Sequence, residues 1–223
     1  MDVLLFDLDG TLVDTAPDII DALNRTLAET NLSPVDDVTG RSFIGGGARH
    51  LVASGMSGSQ GPPVSDDELD RAYASFVRYY TERSSARSNL YPGVREALDG
   101  LIDMDIAMGV CTNKPQDLSV DVLEAFDLNK YFRTVIGGDA LPERKPAASH
   151  LLETAHRTAP GYERAIMIGD SPTDVAGARN ADMPVIVVNY GYTTTPVLEL
   201  GADAVISDMQ EVLPIINSYW DAA

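Results

Sequence analysis

The sequence predicts an α/β protein, a parallel sheet flanked by helices with a helical module inserted after the first strand. Three observations carry that expectation. First, short apolar, β-branched runs recur at residues 3–6, 106–111, 134–136, 165–168, 184–188 and 204–206. Their near-continuous apolarity suits strands covered on both faces. Second, helical stripes lie between the later runs: Val94, Ala97, Leu98, Leu101 and Ile102, then Leu118, Val122, Leu123 and Phe126, then Leu151, Leu152 and Ala155. Strand and helix alternate from residue 92 onward, which right-handed βαβ units explain most economically. Third, the alternation lapses between the first run and Pro92. There Ile19, Ile20, Leu23 and Leu27, then Leu69, Tyr73, Phe76, Val77 and Tyr80, recur at helical spacing with no strand between them. This predicts a helical insert over residues 15–84, with residues 1–14 and 85–223 as the core. A Ser/Gly/Pro-rich loop is expected over residues 54–63. The two connections, at Asp14-Thr15 and residues 84–88, would form a hinge.

Composition narrows the function. Sixteen Lys+Arg against thirty-four Asp+Glu leave a net charge of −18 over 223 residues, with no basic cluster. Such a chain repels nucleic acid and anionic lipid, so neither is an expected partner. No stretch approaches a membrane span, and Asp2 and Asp7 bracket the first apolar run where a signal peptide would carry basic charge. The single cysteine, Cys111, forms no internal disulfide and suits a reducing compartment, so the expected location is cytoplasmic. Its place in an apolar strand reads as a small core residue rather than a nucleophile. Lysines occur only at 114, 130 and 145, which makes a lysine near a strand end informative.

Four constellations sit at the ends of four predicted strands. Asp7-Leu8-Asp9-Gly10-Thr11 follows the first. In extended chain, residues i and i+2 face the same way, so both carboxylates would point together at the carboxyl end of the strand. Close carboxylates repel unless a cation or proton lies between them. The alternative is a hairpin turn at Asp9-Gly10, against which the helix start at Asp14-Thr15-Ala16-Pro17-Asp18 argues. Thr112-Asn113 follows the second strand; a hydroxyl and backbone N–H groups there can hold phosphate oxygens, although Thr-Asn also opens ordinary turns. Lys145-Pro146 follows Gly137-Gly138-Asp139 and could neutralise a bound anion, or be a solvated surface lysine. Gly169-Asp170-Ser171-Pro172-Thr173-Asp174 is the fourth. Ser171 and Asp174 form a plausible helix cap, which leaves Asp170 without a structural task. Asp170 with Asp7 would supply oxygen ligands of the kind magnesium prefers.

Together the four resemble the haloacid dehalogenase superfamily: an Asp-x-Asp-Gly-Thr signature, a strand-end Thr, a Lys-Pro and a Gly-Asp-x-x-x-Asp. The resemblance covers nearly the whole chain and implies a Rossmann-like core with an inserted α-helical cap domain. It further implies phosphoryl transfer through an aspartyl-phosphate. Asp7 would be the nucleophile and Asp9 the acid and base. Mg2+ would sit among Asp7, the Asp9 main-chain carbonyl, Asp170 and Asp174. Thr112, Asn113 and Lys145 would hold the transferring oxygens. Residues 41–52 (RSFIGGGARHLV) and 137–146 (GGDALPERKP) look similar to bacterial phosphoglycolate phosphatases. The implied substrate is therefore a small phosphomonoester, 2-phosphoglycolate first, with Gly10, Thr11, Arg49 and His50 as expected substrate-binding positions. A monomer or homodimer is expected.

Rival readings divide on particular residues. A phosphonatase of this fold needs a cap lysine, and the insert has none. A dehalogenase normally lacks the second aspartate. A sugar phosphatase, nucleotidase or β-phosphoglucomutase shares the same signatures, since fold does not fix substrate. An inactive binding scaffold would not need Asp7, Asp9, Lys145 and Asp170 intact. Of the three lysines, only Lys145 is expected beside the other signatures. His50, His150 and His156 lack zinc-site spacing.

Overall fold

The computed structural model describes residues 2–58 and 64–221. In chain order the strands are β1 (Asp2–Phe6), β2 (Val13–Asp14), β3 (Asn89–Leu90), β4 (Ala107–Cys111), β5 (Thr134–Ile136), β6 (Arg164–Gly169), β7 (Val185–Val188) and β8 (Ala204–Ile206). Six of them form one sheet in the order β5-β4-β1-β6-β7-β8, parallel throughout. Each grows from one of the six apolar runs. Central β1 sets the register, with Leu4 opposite Met108 on one side and Ile166 on the other. The chain adds strands to one side of β1 and then crosses to the other, so a topological switch point lies at the carboxyl end of β1. Open α/β sheets bind ligands there.

Both faces of the sheet are covered, which is why the strands are apolar throughout. Leu4 and Phe6 face a cluster with Val94, Leu98 and Leu101 of α5 (Val94–Asp103), Val122 and Leu123 of α6 (Gln116–Ala125), and Val212 and Ile216 of α9 (Val212–Asp221). Val3 and Leu5, one residue out of phase, face Leu151 and Ala155 of α7 (Ala148–Thr158) and Val175 and Ala178 of α8 (Pro172–Asn180). Two stripe members depart from expectation: Ile102 and Leu152 are 51% and 42% exposed, each on the outer edge of its helix.

Four helices separate β2 from β3: α1 (Ala16–Glu29), α2 (Asp37–Ser42), α3 (Ala48–Ser57) and α4 (Asp66–Thr81). The Ser/Gly/Pro-rich loop expected over residues 54–63 is corrected in part. Residues 54–57 complete α3, and residues 59–63 lie outside the described residues. The helices bury Leu23, Leu27, Leu51, Val52, Phe76 and Tyr80 in a cluster of their own, joined by Leu118 of α6. Burial contributes about 1.5–3 kcal/mol per large apolar side chain, so Leu23→Ala would cost about 2–5 kcal/mol. Gly40 packs on Ile20 and Gly55 on Leu23 so closely that a Cβ at either would collide.

The short β2 and β3, absent from the sequence reading, pair antiparallel where the chain enters and leaves this helical segment. The Asp18 carboxylate at the start of α1 ties the crossings together by accepting from Arg87 N, Ser88 N and Ser88 Oγ at 2.6–3.1 Å. No helix among the described residues is long and apolar enough to cross a membrane.

Candidate active site

The loop after β1 places two carboxylates at the switch point. Asp7 N donates to Ile168 O at 2.9 Å, extending the β1–β6 pairing by one residue. The chain then turns back on itself: Leu8 O accepts from the N–H groups of Thr11, Leu12 and Val13. Gly10 takes φ +83°, and a Cβ there would strike the Asp170 carboxylate. The turn leads into β2, which pairs with β3 and not with β1, so the hairpin alternative is not realised. Asp7 and Asp9 both line one small cavity, as their same-face spacing predicts.

Around Asp7 the sheet ends assemble a dense charge cluster. Asp7, Asp170 and Asp174 are buried, each with a carboxylate oxygen within 4.8 Å of the others. Lys145 reaches in from the loop before α7, its Nζ 3.0 Å from Asp7 Oδ1 and 2.6 Å from Asp174 Oδ1. It is 3% exposed, which removes the surface-lysine alternative. Asp174 Oδ2 meanwhile accepts from Ser171 Oγ, Ser171 N and Asp170 N, completing the capping box of α8. One carboxylate thus serves both readings of Asp174. Asp170 Oδ2 accepts from Tyr192 N at 2.6 Å, and Gly191 and Gly10 approach it too closely to carry a side chain.

Burial pushes the Asp7 carboxyl up to about 6; Lys145 opposes that rise, and Asp174 and Asp9 add to it. Burial, then Asp174 and Asp7, likewise raises Asp170 well above the carboxylate range. Burial works against the Lys145 ammonium, but Asp174 and Asp7 outweigh it and hold the amine well above its ordinary value. Three carboxylates and one ammonium leave two negative charges, the charge of one divalent cation. The donors are all carboxylate oxygens, with no sulfur or imidazole, a set that suits a hard cation. A magnesium ion therefore fits this cluster on donor chemistry and charge.

Asp9 lies on the other side of the crevice. Its Oδ1 accepts from Thr15 Oγ1 at 2.6 Å, and Lys114 Nζ lies 3.1 and 3.3 Å from its two oxygens. The same Nζ donates to Tyr80 OH on α4 at 2.8 Å. Lys114 is 6% exposed, so the expectation that only Lys145 stands beside the signatures is corrected. Thr112 lines the cavity beside Asp7, and its Oγ1 accepts from Lys114 N at 3.2 Å. Asn113 Nδ2 donates to Gly45 O and Lys145 O, pinning the glycine loop and the lysine loop together.

The other expected positions divide. Thr11 is fully buried and its Oγ1 has no hydrogen-bond partner among the described residues. Gly45 and Gly47 line the small cavity in the loop joining α2 to α3, but Arg49 does not. Its guanidinium pairs with Asp70 and Asp66 of α4, and its side chain is 42% exposed. In this structure two acids on the neighbouring helix hold Arg49 outward. His50 is exposed and lines a second, larger cavity with Ser171 and Tyr192. His150, given no role in the sequence reading, is fully buried, and its Nδ1 accepts from Lys145 N at 3.1 Å. Cys111 is a core residue whose thiol burial pushes up to about 12.

The comparisons with known proteins agree with this geometry. Residues 4–188 match the sequence profile of the haloacid dehalogenase-like hydrolase family. A phosphoglycolate phosphatase of Agrobacterium fabrum is 40% identical over 95% of this chain and 91% of its own. One from Caulobacter vibrioides is 42% identical over 94% and 88%. Among solved structures, a predicted phosphoglycolate phosphatase from Haemophilus somnus superposes with a TM-score of 0.88 at 29% identity, covering 96% of this chain and 97% of that one. With its carboxylates and lysine gathered at the switch point of a parallel sheet, the chain belongs to the haloacid dehalogenase-like hydrolase family.

Proposed function

We propose that the protein is a magnesium-dependent phosphatase that hydrolyses 2-phosphoglycolate to glycolate and phosphate through an aspartyl-phosphate on Asp7. The observation that carries the reading is the buried cluster of Asp7, Asp170, Asp174 and Lys145, which with its carboxylates ionised is two positive charges short of neutrality. The names of the relatives support the substrate.

In this reading an Asp7 carboxylate oxygen attacks phosphorus while Asp9 gives its proton to the departing alkoxide. Asp9 then takes a proton from the water that attacks the acyl phosphate, returning Asp7 and releasing phosphate. Thr112, the Asn113 backbone and Lys145 hold the transferring oxygens. Asp7, the Asp9 carbonyl, Asp170 and Asp174 would hold magnesium, which would supply positive charge against the phosphate. Asp9 is engaged by Thr15 and Lys114, so proton delivery requires at least one of these contacts to be exchanged. Residues 15–84 act as a cap moving about the β2/β3 crossings, and excluding water is its task. The buried free thiol of Cys111 accords with a cytoplasmic setting.

A kcat/KM panel with magnesium tests the substrate. 2-Phosphoglycolate should exceed sugar phosphates, nucleotides and pyrophosphate by about tenfold or more, the discrimination expected of a few differential contacts. A hexose phosphate turned over faster would overturn the assignment and leave the mechanism standing.

A further inference from the structure

The cavity against Asp7 poses an electrostatic problem for the substrate just proposed. Two carboxylates, Asp7 and Asp9, form its floor, and its helical walls are largely apolar, with Phe76 and Leu51 among them. A leaving group carrying a carboxylate would enter against like charge with little water to screen it. Among the residues lining this cavity, Lys114 alone is cationic. We infer that Lys114, with the Tyr80 hydroxyl beside it, is the specificity-determining pair that binds the carboxylate of the substrate's leaving group. The inference rests on the reading of this crevice as a phosphoglycolate-cleaving site.

Three features support the pair. Lys114 Nζ is placed at the anionic side of the cavity, 3.1 Å from Asp9 Oδ1 and 2.8 Å from Tyr80 OH. Tyr80 stays protonated, since burial pushes its hydroxyl up to about 12 despite the pull of Lys114. That hydroxyl accepts from Lys114, and its own proton meets no acceptor among the described residues, so a second donor is available beside the ammonium. Both groups are also firmly mounted. Lys114 O accepts from Gly138 N and Ser119 Oγ, and the Tyr80 ring stacks on Phe76 at 5.9 Å between centroids. Charge-assisted bonds from desolvated, fixed donors are the strong ones, and a site built around them rejects an analogue that cannot make them.

The pair also spans two parts of the molecule. Lys114 leaves the end of β4, whereas Tyr80 lies on α4, so a carboxylate held between them contacts both sides of the crevice. Until it arrives, Asp9 is the anionic partner of Lys114. A substrate carboxylate would compete for that ammonium and release the Asp9 side chain toward the leaving oxygen.

The test compares 2-phosphoglycolate with 2-hydroxyethyl phosphate, a neutral analogue of nearly the same size, on full-length protein with magnesium. The readout is the ratio of the two kcat/KM values. We expect wild type to favour 2-phosphoglycolate by about 100-fold, and Lys114→Met to lower that ratio about 10- to 100-fold, the value of one or two charge-assisted hydrogen bonds. Tyr80→Phe, which keeps the ring stack, should lower it less, about 3- to 10-fold, and covers the case in which Lys114→Met fails to fold. A merely structural defect would depress both substrates and leave the ratio intact. If wild type prefers 2-phosphoglycolate and neither variant changes the ratio, the pair is refuted and the substrate assignment stands. A wild-type ratio near unity refutes both the pair and the assignment. If neither compound is hydrolysed, the proposed function fails and the pair with it.

Discussion

Two buried lysines stand on opposite sides of Asp7 and Asp9, and their surroundings differ in kind. Lys145 touches Asp7, at the end of β1, and Asp174, in the first turn of α8, both central to the charge cluster. Lys114 touches Asp9 on one side and a tyrosine of the helical insert on the other. The first lysine has all its partners in the core, on the loops and helix start that follow its strands. The second depends on how the insert sits against the sheet. The contrast separates a rigid half, suited to reacting chemistry shared by many substrates, from an adjustable half suited to choosing among them.

The largest expected effect lies in the rigid half. Asp7→Asn nearly preserves shape yet removes the attacking oxygen, and should lower kcat by about 10^4-fold or more, as losses of covalent nucleophiles do. Retention of a tenth of wild-type kcat would break the contrast at its base. Lys145→Ala comes next. It should cost about 10^2–10^3 in kcat, the scale of one electrostatic donor. Because the pair it breaks is almost fully buried, it should also cost about 3–5 kcal/mol of stability, lowering Tm by on the order of 10 °C. A Lys145→Ala variant as stable as wild type would mean that Lys145 does not offset the buried carboxylates as described.

The cluster should also show itself through pH. Asp7 sits at about 6 and Asp170 above its ordinary range, so the metal-free protein holds protons here that an unfolded chain would release. These groups therefore favour folding in acid, and that contribution is lost as pH rises through about 6. A cation replaces those protons, so magnesium should raise Tm clearly near pH 7.5 and little near pH 5. Equal shifts at both would contradict the raised carboxyls. The smallest effect is expected at the outer surface of the insert. Arg49→Ala removes exposed ion pairs and should leave stability nearly unchanged and alter activity by less than about twofold. A tenfold selective loss on 2-phosphoglycolate would move substrate recognition from Lys114 back to α3.

The same contrast explains what could be read from the sequence. The rigid half was legible because strand apolarity fixes which residues end a strand, and chemistry-bearing types at four such ends stand out. The β2/β3 ribbon was not, since two residues per strand carry no periodicity. Lys114 directly follows Thr112-Asn113 and is one of only three lysines, which was the available signal. Its partner Tyr80 sat on an apolar helical stripe and read as core, and only tertiary packing brings its hydroxyl to the ammonium. For Arg49 the converse holds. Its place beside the glycine loop was legible, but its direction is set by Asp66 and Asp70, distant in sequence. Asp174 was legible as a helix cap, yet its second oxygen belongs to Lys145.

The covalent role of Asp7 is the claim on which the rest depends. An Asp9→Asn variant should form the phosphoenzyme slowly, having lost the acid for the leaving alkoxide, and then retain it, because no base remains to activate water. Incubated with magnesium and 2-phosphoglycolate, quenched in acid and digested, it should yield one peptide carrying an added phosphoryl group, located on Asp7. Stoichiometric glycolate release with no phosphoryl group on Asp7 would contradict the account.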